Sequence, residues 1–560
     1  MANGSVLEPV VQTKPNSRRQ WSSTFWLAAP PLLFAVASVL GLLVHNRHQT
    51  FLSSAAPALI GSLGFALAVL LLVAGIRRRF DACAAVIASI WVAGCLFHAG
   101  LFRFVRWFDD SYATVWSVPV AILLIGILTL AAARLPARHI RALHLALTAA
   151  AAVMVAAPAW DVAAFEWRNR AARTVYDPNK AVEEIAEFTK GTETPVVTAR
   201  PPDIYYFVFD RFASAETLAR YYDVDITETI DFLEQRGFHV VRAANSNYHR
   251  TGLSLASTFY MDYLDMLSER APGNDWRPLQ AMLRDHRVAR FLKERGYRFI
   301  QFGSWWTGTF QNPLADENHP HGLGEFDYLY LRYTILHPLL QILPTTRLAQ
   351  QLDWDLGQCQ RVRPQIEKIK ALGEQDQPLF VFAHILVPHG PYVFAPDGRC
   401  FTREEAEKRS EREGYVDQVA YATRLIQELV AALQSERNNL PIIIIQADEG
   451  PFPERDWSVP WNEASASEQR IKTSIISAYF FPNGDYSQLG ENTTPVNSFR
   501  AVFNTYFGTS FPLLPNRIFV SPDEARLYDF YDVTENVLAD YEDISALQRS
   551  APAGSQSVPN

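Results

Sequence analysis

The sequence predicts a bundle of five membrane-crossing helices followed by a large α/β domain built on a mostly parallel sheet. Three observations predict it. Residues 1–163 are dominated by Ala, Leu, Val and Trp, whereas the rest has the mixed charge of a soluble domain. The first part holds five stretches long enough to span a bilayer, which takes ~20 mostly apolar residues. The second part alternates short, continuously apolar runs with segments of helical spacing, as a parallel sheet covered on both faces requires. At 560 residues the chain exceeds what one core serves, so two regions are expected.

The five stretches are Trp26–Val44, Ala55–Ile76, Cys83–Phe102, Ala113–Ala133 and Leu143–Ala163. The first is not a cleavable signal: it is long, lacks a small-residue cleavage site and is followed by four similar stretches. Lys14, Arg18 and Arg19 precede the first, Arg77, Arg78 and Arg79 follow the second, and Arg134, Arg138 and Arg141 lie between the last two. The alternate loops carry only Arg47, and Arg103 with Arg106 offset by Asp109 and Asp110. That bias puts the N-terminus inside, and an odd number of spans then puts everything after Ala163 outside. Arg168, Arg170 and Arg173 just past the fifth stretch run against the bias and suit headgroup contacts.

Residues 164–200 read as a connector, with an amphipathic stretch at Val182–Thr189 and the polar Gly191–Thr194. Residues 201–545 form the outer domain. Strands are expected at Asp203–Phe209, Phe238–Arg242, Tyr297–Phe302, Leu379–Leu386 and Pro441–Gln446, and helices at Thr227–Arg236, Leu279–Arg295 and Val416–Leu433. Residues 546–560 are small and polar and are expected to be disordered. Cys83 and Cys95 fall in an apolar stretch as buried small residues. Cys359 and Cys400 can pair if the outer domain meets an oxidising compartment. No C-x-x-C occurs, against a zinc knuckle or thioredoxin site. A net charge of −8 and no basic run beside aromatics argue against a nucleic-acid partner.

Sites in such sheets form beyond the carboxyl ends of strands. The first strand ends in Asp210, the fourth runs into Val387-Pro388-His389-Gly390-Pro391-Tyr392, and the fifth ends in Ala447-Asp448-Glu449-Gly450. Carboxylates with imidazole suit a divalent metal such as manganese, magnesium or zinc. Singly, an acid after a strand is more often a turn or cap residue. Thr251 opens a helical segment, where unpaired N–H groups favour an anion and a metal-bound threonine can be a nucleophile; the competing reading is an N-cap that needs no chemistry. Ser304-Trp305-Trp306-Thr307 follows a strand and either shapes a substrate cleft or packs a surface loop. His319 and His321 lie in a polar loop, solvated or as an extra metal contact.

Four segments, PDIYYFVFDRF, NYHRTGLSLASTFYMDYL, FVFAHILVPHGPYVF and IIIIQADEGP, in this order and at these separations, resemble the sulfatase-like hydrolase/transferase family of the alkaline phosphatase superfamily. The resemblance covers roughly Pro201–Thr534. Five spans before an outer catalytic domain are also similar to lipoteichoic acid synthase and, more loosely, to phosphoethanolamine transferases. It implies an alkaline-phosphatase-like α/β/α domain at a bacterial inner membrane, and one divalent metal ion held by Asp210, Thr251, Asp448 and Glu449. Thr251 would be the nucleophile and His389 a contact to the transferred group. A membrane lipid or envelope glycan would be the substrate. Glu449 departs from the pattern, which has His there, and His389 is the last histidine of the chain. Either the metal preference shifts to harder cations, or binding weakens and the domain has become a non-catalytic binder of an envelope component.

Two other enzyme classes fit worse. A formylglycine sulfatase needs Cys or Ser before x-Pro-x-Arg, and no cysteine has that context. A serine α/β-hydrolase is suggested by Gly252-Leu253-Ser254-Leu255-Ala256, but no strand immediately precedes it and no histidine follows Asp448.

Overall fold

The computed structural model describes residues 17–108, 113–170, 200–271, 273–320, 322–342, 352, 357–435 and 439–539. The predicted connector from 171 to 199, the tail 546–560 and His321 lie outside them. The chain divides into two compact units. One comprises Met1–His45, Ala55–Ala164 and Leu329–Ile342, the other Asn46–Ser54, Phe165–Tyr328 and Leu343–Asn560.

The first unit is helical. Ser17–His45, Ala56–Arg77, Ala113–Arg134 and Ala137–Arg168 each contain a window long and apolar enough to cross a membrane. The third predicted span, Cys83–Phe102, is not one helix: Ala82–Leu96 and His98–Phe108 meet at an angle of 57°. Among the described residues, the helices long and apolar enough to cross a membrane therefore number four, or five if the bent pair counts as one. The break follows from the residues. Ala82–Leu96 has 15 residues, about 22 Å of helix, short of a ~30 Å hydrocarbon core. Beyond Phe97 the sequence mixes Arg103 and Arg106 with Phe102, Phe104 and Trp107, which suits a helix lying along an interface. Hydroxyls join the helices from within: Ser62 donates to the Tyr330 hydroxyl at 2.7 Å, and Ser38 lies 2.7 Å from the same oxygen. Leu71, Leu72, Ile76 and Trp160 are exposed, as a hydrocarbon-facing surface requires.

The second unit is built on a sheet. Its strands are β1 (Ile204–Phe209), β2 (His239–Val240), β3 (Arg298–Phe302), β4 (Glu317–Asn318), β5 (Leu379–Ile385), β6 (Ile442–Gln446) and β7 (Ser477–Phe480), in the order β2-β7-β6-β1-β5-β3-β4. β8 (Phe519–Val520) and β9 (Tyr531–Asp532) pair separately. Strands β4, β3, β5, β1 and β6 are parallel, while β7 runs against β6 and β2 against β7. β1 is central and all six of its residues are buried, which explains its unbroken apolar run. The predicted Phe238–Arg242 strand shrinks to two residues. The predicted Leu279–Arg295 helix splits into Arg277–Arg284 and Arg287–Glu294, because His286 is extended and its Nδ1 accepts the Ala289 N–H at 3.1 Å as an N-cap. Cys359 and Cys400 are disulfide-bonded, with Cα atoms 6.0 Å apart.

Candidate active site

Parallel strands bring their carboxyl ends to one edge of the sheet, and β6, β1 and β5 are consecutive there. Asp210 follows β1 and is held by its N–H to the Ile385 carbonyl at 3.0 Å. His384, near the end of β5, pairs in register with Val208, and its Nε2 lies 3.1 Å from Asp210 Oδ2. The other ring nitrogen meets the Thr309 hydroxyl at 2.8 Å, and that hydroxyl lies 2.9 Å from Ser304 Oγ. Asp448 follows β6. Asp210, His384 and Asp448 are all buried and each offers a ligand atom within 4.8 Å of the others. Among the described residues, Asp210 Oδ1 and Asp448 Oδ2 are buried with no hydrogen-bond partner. Two such oxygens beside an imidazole are donors of the kind that can hold a divalent cation.

The electrostatics agree. Burial, then the charges of Asp210 and Glu449, push the Asp448 carboxyl up to about 7. Asp210 goes the other way: burial opposes ionisation, but His389, His384 and Arg211 hold it below the usual carboxylate range.

Thr251 is the first residue of the helix Thr251–Tyr260, so it is not the N-cap; Arg250 is, with no side-chain cap. The Thr251 side chain stands beside the Asp448 carboxyl and favours its ionised form, and the Thr251 N–H donates to Glu449 Oε2 at 3.1 Å. The structure thus brings Asp210, Thr251 and Asp448 together. Glu449 is close but turned to other partners. Its Oε1 accepts from Lys472 Nζ at 2.6 Å and Arg211 Nε at 3.1 Å. Burial pushes Lys472 down to about 8 against the pull of Glu449. Both cations also face the Phe452 ring, at 4.3 Å for Arg211 and 3.8 Å for Lys472.

His389 reaches the same cavity, of about 200 Å³, walled in part by Trp276, Trp305 and Trp306. Its Nδ1 is bonded to the Gly390 carbonyl, and burial followed by Arg211 pushes it down to about 4, so the ring is neutral at pH 7. His319 pairs with Glu317 at 3.1 Å and stands apart from the Asp-His-Asp group. Ser254 is buried inside the helix, not on a strand-to-helix elbow.

Sequence reasoning missed His384, Arg211 and Lys472. The available signal for His384 was one ionisable residue near the carboxyl end of an otherwise apolar strand. Lys472 gave none, since it sits in the polar-looking helix Ala466–Thr473.

The model of the sulfatase family matches residues 206–499, from β1 into the helix Ser498–Phe507. The chain belongs to the sulfatase family. No curated protein matches it. Similar solved structures of this sulfatase-family chain include the C-terminal periplasmic domain of EptC from Escherichia coli in complex with zinc. That pair shares 10% identity over 60% of this chain and 93% of that one, with TM-score 0.39. The integral membrane lipooligosaccharide phosphoethanolamine transferase A from Neisseria meningitidis shares 12% identity over 86% of this chain and 95% of that one, with TM-score 0.34. The family assignment rests on the matched segment 206–499.

Proposed function

We propose that the chain is a membrane-anchored, metal-dependent hydrolase or transferase with Thr251 as nucleophile. It moves a phosphoryl or sulfuryl group from an ester of a lipid head group or envelope glycan. One observation carries the reading: two buried carboxylate oxygens without partners, Asp210 Oδ1 and Asp448 Oδ2, beside His384, with Thr251 lining the same cavity as Asp210 and His384. Asp210, His384 and Asp448 would hold manganese, magnesium or zinc, with Thr251 next to them. A metal there supplies positive charge that lowers the pKa of the Thr251 hydroxyl and offsets charge on the transferred group.

The chain's own residues do the rest. Thr251 Oγ forms a bond to phosphorus or sulfur as the bond to the leaving oxygen breaks, and the hydroxyl proton ends on that leaving oxygen, which departs as an alcohol. Arg211 and Lys472 face the equatorial oxygens. Neutral His389, with Nδ1 tied to Gly390, keeps Nε2 free to take a proton from the water or second alcohol that resolves the ester. Trp276, Trp305 and Trp306 offer flat apolar faces for a sugar or head group. The arginine bias and the Cys359–Cys400 bond support an N-terminus inside and this domain on the oxidising outer side.

A non-catalytic binding domain is the rival. It draws its support from Glu449 in a ligand position, and His384 beside Asp210 weakens that support. The test is turnover of an aryl phosphate and of phospholipid vesicles by the manganese-loaded full chain, with mass analysis of the Thr251 peptide. A phospho- or sulfo-adduct lost in Thr251→Ala is expected; equal turnover by Thr251→Ala sinks the assignment.

A further inference from the structure

Glu449 stands where the family resemblance expects a histidine ligand, and that departure has a geometric answer. We infer that Glu449 is not a metal ligand but a positioning residue: it clamps the start of the Thr251 helix to Arg211 and Lys472, the two cations facing the transferred anion. The inference rests on the catalytic reading above and adds a role to the same site.

Three bonds carry it. Glu449 Oε2 takes the Thr251 N–H at 3.1 Å, and Oε1 takes Lys472 at 2.6 Å and Arg211 at 3.1 Å. Glu449 is 4% exposed, so these bonds form in a site that excludes water and makes them strong. Its neighbour Asp448, 1% exposed, keeps an oxygen with no partner. Successive residues after β6 point to opposite tasks: Asp448 to the Asp-His-Asp group, Glu449 to the cations. The missing histidine is made good from another strand, since His384 on β5 already lies beside Asp210.

The helix also needs the clamp. Arg250, at its N-cap, supplies no side-chain acceptor, so the first N–H depends on an acceptor from elsewhere. A carboxylate there is favoured by the helix dipole and fixes the backbone of the nucleophile. Its charge has a second effect. Arg211 and Lys472 carry two positive charges, and Glu449 cancels one, which loosens the grip on a bound anion and favours release.

The test compares full-length wild type, Glu449→Gln, Asp448→Asn and His384→Ala by manganese titration, inorganic phosphate inhibition and steady-state kinetics. Glu449→Gln is expected to bind one manganese within about threefold of wild-type affinity, whereas Asp448→Asn and His384→Ala lose about 100-fold or more. In Glu449→Gln, phosphate inhibits at about fivefold lower concentration, KM falls, and kcat falls about tenfold or more. A purely structural role lowers the active fraction without moving KM or phosphate affinity, and would overturn the inference. So would loss of manganese in Glu449→Gln equal to that in His384→Ala. Should Glu449→Gln not fold, Lys472→Met takes its place: manganese retained with phosphate about fivefold weaker supports the clamp, and unchanged phosphate affinity overturns it. If wild type takes no manganese and turns nothing over, the catalytic reading fails. The clamp is then judged by phosphate binding alone, tighter in Glu449→Gln or not.

Discussion

Two buried clusters of charge share the carboxyl edge of the sheet and are finished differently. Around Asp210, His384 and Asp448, two carboxylate oxygens meet no described partner. Around Glu449, Arg211 and Lys472, both carboxylate oxygens are engaged and the one negative charge is held between two positive ones. Burial is similar in both, so burial alone does not mark a functional group. The difference lies in completeness: a set left with like charges and bare oxygens has room for a cation, and a carboxylate with both oxygens bonded is built to hold still.

Substitutions can break or sharpen that contrast. The largest effect is expected from Thr251→Ala, which removes the atom between the clusters; turnover of an aryl phosphate should fall by about 10³-fold or more while the fold, followed by fluorescence, persists. Next, Glu449→Gln should cost about 3–5 kcal/mol of stability in denaturant titrations, because it strips a finished cluster of its only anion. Asp448→Asn should do the reverse. In metal-free protein it relieves repulsion with Asp210 and should raise stability by about 1–2 kcal/mol, and it should abolish any rise of Tm on adding manganese. Equal signs for these two carboxylates would erase the distinction.

The smallest effect concerns a third buried group, finished but neutral. Burial pushes His286 down to about 3, and its Nδ1 caps a helix. The folded value lies below the unfolded one, so the unfolded chain binds the proton first as pH falls. The stability is complete above about pH 6.5 and is lost on acidification toward pH 3, with about 1 kcal/mol gone by pH 5.5. His286→Asn keeps a cap acceptor and should flatten that slope in thermal melts at pH 7.5 and 5.5; an unchanged slope would assign it to other groups.

Much of this was written in local sequence. Strand runs such as PIIIIQ are continuous because β1, β5 and β6 are flanked on both sides, and an acid after such a run stands at the sheet edge, as Asp210 and Asp448 do. Thr251 was visible as a helix opener. What local pattern could not give is which distant groups converge. His384 looks like filler within LFVFAHIL until the register sets it beside Asp210. Lys472 comes from a helix remote in sequence, and only the fold shows it against Glu449. The break at Phe97 escaped because average hydropathy over Cys83–Phe102 does not sense a bend.

The Cys359–Cys400 bond encloses β5 and the loop that presents His389. A covalent loop of this kind stitches His389 and the metal-binding candidate His384 into the same closed ring. Glutathione-rich cytosol would open that ring, so a chain stranded there by failed export would lose the restraint on both at once. On the proposed outward orientation, the bond would tie the bracing of this loop to delivery, closing only once the domain had reached an oxidising compartment.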